Sequence, residues 1–451
     1  MATPTLVIRG KRVVLPDGVR PAALHIADDV IVSVTAFDAP APDVRIIDAG
    51  DLVVSPGIVD SHVHINEPGR TEWEGFRTAT EAAAAGGITT VVDMPLNCIP
   101  ATISADAAER KRDVLRDQLH VNVAFWGGVV PGNAGELAGL QKFGVPGCKC
   151  FLCPSGVDEF PHVTRADLDL AMPVLRDLGR TLLVHAELPG PLEAAEASLH
   201  GADPRKYETY LRSRPRAAED QAIAMIIELA AKHRCAAHIV HLSSGSAVPL
   251  LAQAQASGVP ITAETCLHYL NFTAEEIPDG ATQFKCAPPI RDRANRELLW
   301  GGLETGVIGM VVSDHSPCTP QLKRRETGDF IGAWGGIAGL QLGLSVLWTR
   351  ARERGHSLSQ LFEWNAKAPA RLAGLGQRKG QLAVGFDADL VLWDDAATFE
   401  VGELRHRHGG SPYGGQKLWG IVQSTFVGGR VAYSESDGVA SRPVGRFTRS
   451  G

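Results

Sequence analysis

Asp60-Ser61-His62-Val63-His64 closes an apolar run, and strand alternation sets His62 and His64 on one face. Two imidazoles aimed at one point have the spacing of a metal-ligand pair, a pattern that two structural histidines would share. The motif recurs at the ends of other runs: Val184-His185-Ala186-Glu187, His238-Ile239-Val240-His241-Leu242 and Ser313-Asp314-His315. Fifteen histidines spread over the chain would put one at a run end by chance. Histidine at three ends, joined by an aspartate, favours a shared metal site. Imidazole with carboxylate suits zinc, manganese, iron or cobalt, and availability selects among them.

Cys148-Lys149-Cys150 puts Lys149 on the face opposite its two cysteine neighbours, toward the interior. An ammonium beside divalent cations is disfavoured by desolvation and like-charge repulsion. Two readings of Lys149 stand. It pairs with an inward carboxylate, or its neutral amine takes up carbon dioxide and becomes a carbamate, whose negative charge can bridge two cations. Cys148, Cys150 and Cys153 lack a fourth ligand and turn glycines, so structural thiols are expected ahead of a thiolate metal or redox site. All eight cysteines are expected to be reduced.

The elements that must position these residues are legible as periodicity. Eight apolar runs, near 53–60, 88–94, 120–126, 145–152, 181–185, 237–242, 259–265 and 308–314, alternate with helical stretches. Helices are expected over Glu74 to Ala85, Ser104 to Gln118 with Ser104 as N-cap, Arg165 to Leu178, Ala217 to Lys232 and Ala338 to Thr349. Eight alternations predict an α/β fold, a TIM-type (β/α)8 barrel over 56–376, with its active site where the C-terminal strand ends meet. A doubly wound dinucleotide fold is the weaker alternative, since no Gly-x-Gly-x-x-Gly follows the first run. Hairpin-like text fills 1–55 and returns over 377–440, so both ends are expected to build one small β domain, with 441–451 as a flexible tail.

Composition narrows the function classes. With 451 residues, 44 Lys and Arg against 51 Asp and Glu, and 44% hydrophobic residues, the chain is an ordinary globular one of net charge −7. No block of clustered positive charge offers a surface to nucleic acid or anionic membrane. No apolar stretch reaches about 18 residues, and the first residues form no leader, so a cytoplasmic location and small-molecule chemistry are expected.

Four segments together resemble the metal-dependent amidohydrolases with a carbamylated lysine: His62 through Phe76, Val92-Asp93-Met94-Pro95-Leu96-Asn97, Lys149-Cys150-Phe151-Leu152 with Ser155 through Pro161, and Ser313 through Cys318. The resemblance covers nearly the whole chain. It implies that His62, His64 and Asp314 hold one divalent metal ion and His185 and His241 the second, with Lys149 bridging them as its carbamate. Zinc is the first expectation, then cobalt, manganese or iron. The implied reaction is hydrolysis of the hydantoin ring of allantoin to allantoate, in purine catabolism, with Asp314 as general base and His315 in a supporting role. Hydantoinase- or dihydropyrimidinase-type chemistry on another cyclic ureide is the alternative, and a non-catalytic scaffold of the same fold is a further one. The resemblance also implies a homotetramer.

Departures from relatives shape the substrate reading. Asn66 stands where similar dihydroorotases carry an arginine for the substrate carboxylate, which weakens that reading. Pro154 stands where dihydropyrimidinases carry a tyrosine that polarises the scissile carbonyl, leaving Ser155 as a candidate for the role. Cys286, within Lys285-Cys286-Ala287-Pro288-Pro289, is expected to contact substrate through its backbone, and Asn97 and Asn66 complete the expected contacts. Met94 and Trp73 are expected to pack near the mouth, and His406 and His408 to be solvated or at an interface.

Overall fold

The computed structural model describes residues 3–40 and 43–450; residues 1, 2, 41, 42 and 451 of the expected β domain and tail lie outside it. Eight parallel strands follow one another in chain order: Ile58–Val63, Ile88–Asp93, Asn122–Phe125 continued by Gly127–Gly128, Gly147–Phe151, Thr181–His185, Ala237–Ile239, Ile261–Cys266 and Met310–Val312. The barrel closes where Val63 pairs with His315 and the His64 amide donates to the His315 carbonyl at 2.7 Å. Ile58–Val63, Ile88–Asp93 and Gly147–Phe151 are buried at every residue. Strands covered on both faces need continuous apolar text, which is why they read as runs and not as alternation.

The first run divides. Val53–Pro56 pairs antiparallel with Leu390–Glu400 in a nine-stranded sheet, and only Ile58–Val63 enters the barrel. Gly57 is the hinge: a Cβ there would lie 2.2 Å from the Thr89 hydroxyl, and its amide donates to Asp389. Inside one unbroken apolar run, periodicity carries no mark of such a handover. The sheet draws its strands from Leu6–Pro56 and from Leu390–Val439 and packs its own apolar core.

Ser104 caps the helix Ala105–Asp113 by accepting from the Ala107 amide, and Thr164 closes a capping box on Arg165–Asp177. Two expected helices start or stop elsewhere. The one expected to reach Gln118 ends at Asp113. The one expected from Ala338 begins as an α-helix only at Gly343, because Ile337 first pairs with His315 and the Gly339 and Leu340 amides donate to the His315 ring. The expected flexible tail is a correction as well. Phe447 pairs with Val123 and packs on Phe125 and Phe143, and the Gly445 and Thr448 amides donate to the Leu119 and Val123 carbonyls. Among the described residues no helix is long and apolar enough to cross a membrane.

Candidate metal centre

Five strands deliver the six expected ligands to one place. His62 lies within Ile58–Val63 and His64 just past it; Lys149 lies within Gly147–Phe151, and His185 ends Thr181–His185. His241 and Asp314 each follow a three-residue strand by two positions, with backbone φ of 39° and 45°. A left-handed backbone at a residue other than glycine costs on the order of 1–3 kcal/mol and persists where surrounding structure holds it. Here it turns two side chains back over the barrel mouth. Asn66 and Asn97 share this geometry, at φ 68° and 67°.

The side chains converge and are buried. His62 Nε2 lies 3.2 Å from Asp314 Oδ1 and 3.1 Å from Lys149 Nζ, and His64 Nε2 lies 3.6 Å from Asp314 Oδ1. Across the mouth, His185 Nδ1 and His241 Nε2 are 3.0 Å apart. Burial holds His62, His64 and His241 well below the usual imidazole pKa, with the Lys149 charge acting in the same direction on each. Burial likewise lowers His185. At neutral pH all four present lone pairs rather than charge. Burial also moves the Lys149 ammonium down to about 8 and the Asp314 carboxyl up to about 7.

Outer carboxylates decide which nitrogen of each ring is free. His62 Nδ1–H donates to Glu264, so Nε2 is the acceptor facing Asp314 and Lys149. His185 Nε2–H donates to Glu187 Oε2 at 2.8 Å, so Nδ1 is the acceptor facing His241. Glu187 is in turn forked by Arg214, and Asp60 accepts from the His62 and Ser313 amides. Glu264, Glu187 and Arg214 were not singled out in the sequence. Glu187 stands two residues after a ligand-type histidine, and Glu264 is the acidic residue of an otherwise uncharged barrel run; those were the available signals. His238, three residues before His241, instead bonds Thr262 and Glu264 within the barrel.

A cavity of about 240 Å³ opens over these groups, below the roughly 300–1,000 Å³ of pockets for drug-sized ligands, and thus suited to a small polar molecule. His64, Lys149, His185, His241 and Asp314 line it, together with Asn97, Ser155, Arg214, Cys286 and Trp334. The remaining sequence expectations divide. Asn97 lines the cavity, but Asn66 does not: its Oδ1 accepts from Asn97 Nδ2 and its Nδ2 donates to Pro317, so it braces Asn97 from behind. Cys286 is at the wall, with its carbonyl already accepting from the Tyr210 hydroxyl. The Ser155 hydroxyl is turned onto the Val157 and Phe160 carbonyls, so its hydrogen is not offered to the cavity.

His315 is spent on structure, its Nε2–H donating to Glu74 and its Nδ1 accepting from two amides. His406 is a correction: it is buried against the His315 ring, at 5.7 Å between centroids, and not solvated, while His408 bonds the Glu72 carbonyl. Trp73 packs edge-on to Trp334, and Met94 is fully buried. All eight cysteines are buried free thiols, and burial pushes Cys148 and Cys153 up to about 12, which leaves no thiolate at neutral pH.

The donor set suits divalent cations. His62, His64 and Asp314 bring three ligand atoms within 4.8 Å of one another, and the buried Nδ1 atoms of His64 and His241 make no hydrogen bond among the described residues. Opposite them, His185 Nδ1 and His241 Nε2 form a second, purely nitrogen pair. Neutral imidazoles, one carboxylate and a lysine that sheds its proton readily are ligand chemistry for zinc and its neighbours.

Residues 53–432 match the model of the amidohydrolase family. Among curated proteins, the allantoinase of Streptomyces avermitilis is 49% identical, covering 99% of each chain. That of Arabidopsis thaliana is 43% identical over 95% of this chain and 88% of its own. That of Saccharomyces cerevisiae is 46% identical over 87% of this chain and 85% of its own. Among solved structures, the L-hydantoinase (dihydropyrimidinase) of Arthrobacter aurescens superposes with a TM-score of 0.93 at 30% identity, covering 99% of this chain and all of that one.

Proposed function

The chain belongs to the amidohydrolase family and, within it, to the allantoinases, and from that premise we propose that it hydrolyses the hydantoin ring of allantoin at a cyclic amide carbon–nitrogen bond, giving allantoate. The observation that carries this reading is the convergence of His62, His64, Lys149, His185, His241 and Asp314 from five strand ends around one small cavity.

In this reading His62, His64 and Asp314 would hold one divalent ion and His185 and His241 another, and Lys149, as its carbamate, would serve as a further ligand. Bound there, such ions make water acidic enough to act as a nucleophile near neutral pH and polarise the carbonyl under attack. Asp314, at the cavity wall, takes the proton of the attacking water and returns it to the ring nitrogen as the carbon–nitrogen bond breaks. Glu264 and Glu187 keep the His62 and His185 rings in the tautomers that leave their inner nitrogens free. Asn97, held by Asn66, and the backbone at Cys286 orient the ring. Zinc as the native metal and a homotetrameric assembly belong to the same proposal, both resting on family resemblance, and a cytoplasmic location joins them as the expectation from sequence.

The test is turnover of allantoin beside hydantoin, dihydrouracil and dihydroorotate, with one preparation loaded with zinc, cobalt or manganese in bicarbonate. Allantoate formation well above turnover of the other three supports the proposal. Activity confined to another ring overturns the substrate, and silence on all four overturns catalysis.

A further inference from the structure

Among the described residues, Arg214 is the cationic side chain at the cavity wall, apart from Lys149, with a nitrogen that has no partner. Lys285, the other candidate, donates to the Ile331 and Ala333 carbonyls and faces the Tyr210 ring at 4.9 Å. The Arg214 guanidinium is forked onto Glu187 through Nε, at 3.1 Å, and Nη2. Its Nη1 makes no hydrogen bond among the described residues, and the side chain keeps 22% of its surface exposed. That exposure faces the cavity on one side and, on the other, a second cavity of about 850 Å³ that shares Tyr210, Arg214 and Lys285 as its wall.

The position is set by a short relay. Arg214 bonds Glu187, and Glu187 Oε2 lies 2.8 Å from Nε2 of His185, whose other nitrogen faces His241. Arg214 thus lines the cavity one carboxylate removed from the His185 ring, at its wall and outside the converging His, Lys and Asp side chains. Glu187 neutralises the guanidinium, and its own charge repels a nearby anion. What remains is a pair of N–H donors with little net charge, which matches a neutral carbonyl oxygen better than a carboxylate.

We propose that Arg214 is a specificity-determining residue whose Nη1 donates to the ureido carbonyl oxygen on the ring substituent of the substrate. This rests on the hydrolysis of allantoin proposed above. It makes Arg214 the group that separates a ureido-substituted hydantoin from one bearing an alkyl or anionic substituent.

The experiment compares kcat/KM for allantoin, 5-methylhydantoin and hydantoin-5-acetate in the metal-loaded full chain, its Arg214→Gln variant and its Arg214→Lys variant. Metal content is measured on each. The ratio of allantoin to 5-methylhydantoin is expected to fall about tenfold or more in Arg214→Gln, mainly through KM, because the guanidinium hydrogen bond is lost on one substrate only. Arg214→Lys, which keeps a cation for Glu187, is expected to lower the same ratio and is the variant to read where the glutamine form does not accumulate. Glu187→Gln, which removes the anion that positions and neutralises Arg214, is expected to lower metal content and to raise kcat/KM for hydantoin-5-acetate relative to 5-methylhydantoin. In an enzyme that hydrolyses allantoin, an unchanged ratio in both Arg214 variants overturns this assignment alone. So does an unaltered chain that prefers hydantoin-5-acetate to allantoin. An unaltered chain that leaves allantoin intact overturns the activity reading and the assignment with it.

Discussion

Lys111 offers a sharp test of how the barrel supports its mouth. Its ammonium is fully buried, 2.6 Å from Asp93 Oδ2, and also donates to the Met94 carbonyl at 2.9 Å. Asp93 ends the second barrel strand, and its other oxygen accepts from the amide of Ile65, the residue after His64, at 2.8 Å. Lys111→Met keeps nearly the same volume and leaves the Asp93 carboxylate buried without its counter-charge. Removing one partner of a buried pair costs about 3–5 kcal/mol, against roughly 0–1 for an exposed pair. With an unfolding entropy of about 2.1 cal/mol/K per residue over 451 residues, that loss lowers the melting temperature by about 3–5 °C. The assay is scanning calorimetry at one scan rate for the unaltered chain, Lys111→Met and Lys111→Met combined with Asp93→Asn. Asparagine keeps an acceptor for the Ile65 amide without the charge, so the double variant is expected to regain at least half of the loss. A shift below about 1 °C in the single variant, or no recovery in the double, would refute the reasoning.

Four further outcomes are expected. Asp314→Asn should remain folded and lose about 100- to 10,000-fold in kcat, the usual worth of a positioned acid–base group; near-normal turnover would remove Asp314 from the proposed role. Glu187→Gln should weaken metal binding about 10- to 100-fold in competition with a chelator, and unaltered affinity would show that the His185 ring is oriented by something else. Lys149 must be neutral to take up carbon dioxide, and burial brings its amine to about 8, so reactivation of chelated protein at fixed dissolved carbon dioxide should rise with pH and level off above about 8. In native mass spectrometry the active form should exceed the acid-denatured one by its bound metal and about 44 Da more. A fully active, metal-loaded chain without that increment would rule the carbamate out.

Much of the site was legible because a barrel converts a local rule into a global one. Strand alternation sets His62 and His64 on one face, puts Lys149 inward and leaves Cys148 and Cys150 outward, and each of these follows from neighbours within a few residues. Parallel strands then bring their C-terminal ends to one mouth, so histidines at run ends were certain to meet if the eight runs closed. Other features had no local signature. Glu264 reaches His62 across 202 residues and Asn97 reaches Asn66 across 31, and no periodicity records such pairings. The burial of His406 and the docking of Phe447 are decided by which surface a loop or terminus finds complementary, not by its own composition.

The division has one physical reason. The chain by itself determined the residue types, their order and the face each presents, because backbone sterics and side-chain period act over a few positions. That was enough for the barrel and for the strand ends at which the six side chains meet; the roles assigned to them rest on resemblance to the family. Only the tertiary structure decided which nitrogen of each imidazole is free, which asparagine touches the cavity and which brace it, and where an arginine keeps an unused donor. Those are properties of distances between distant parts of the chain, and closure of the fold is what sets them.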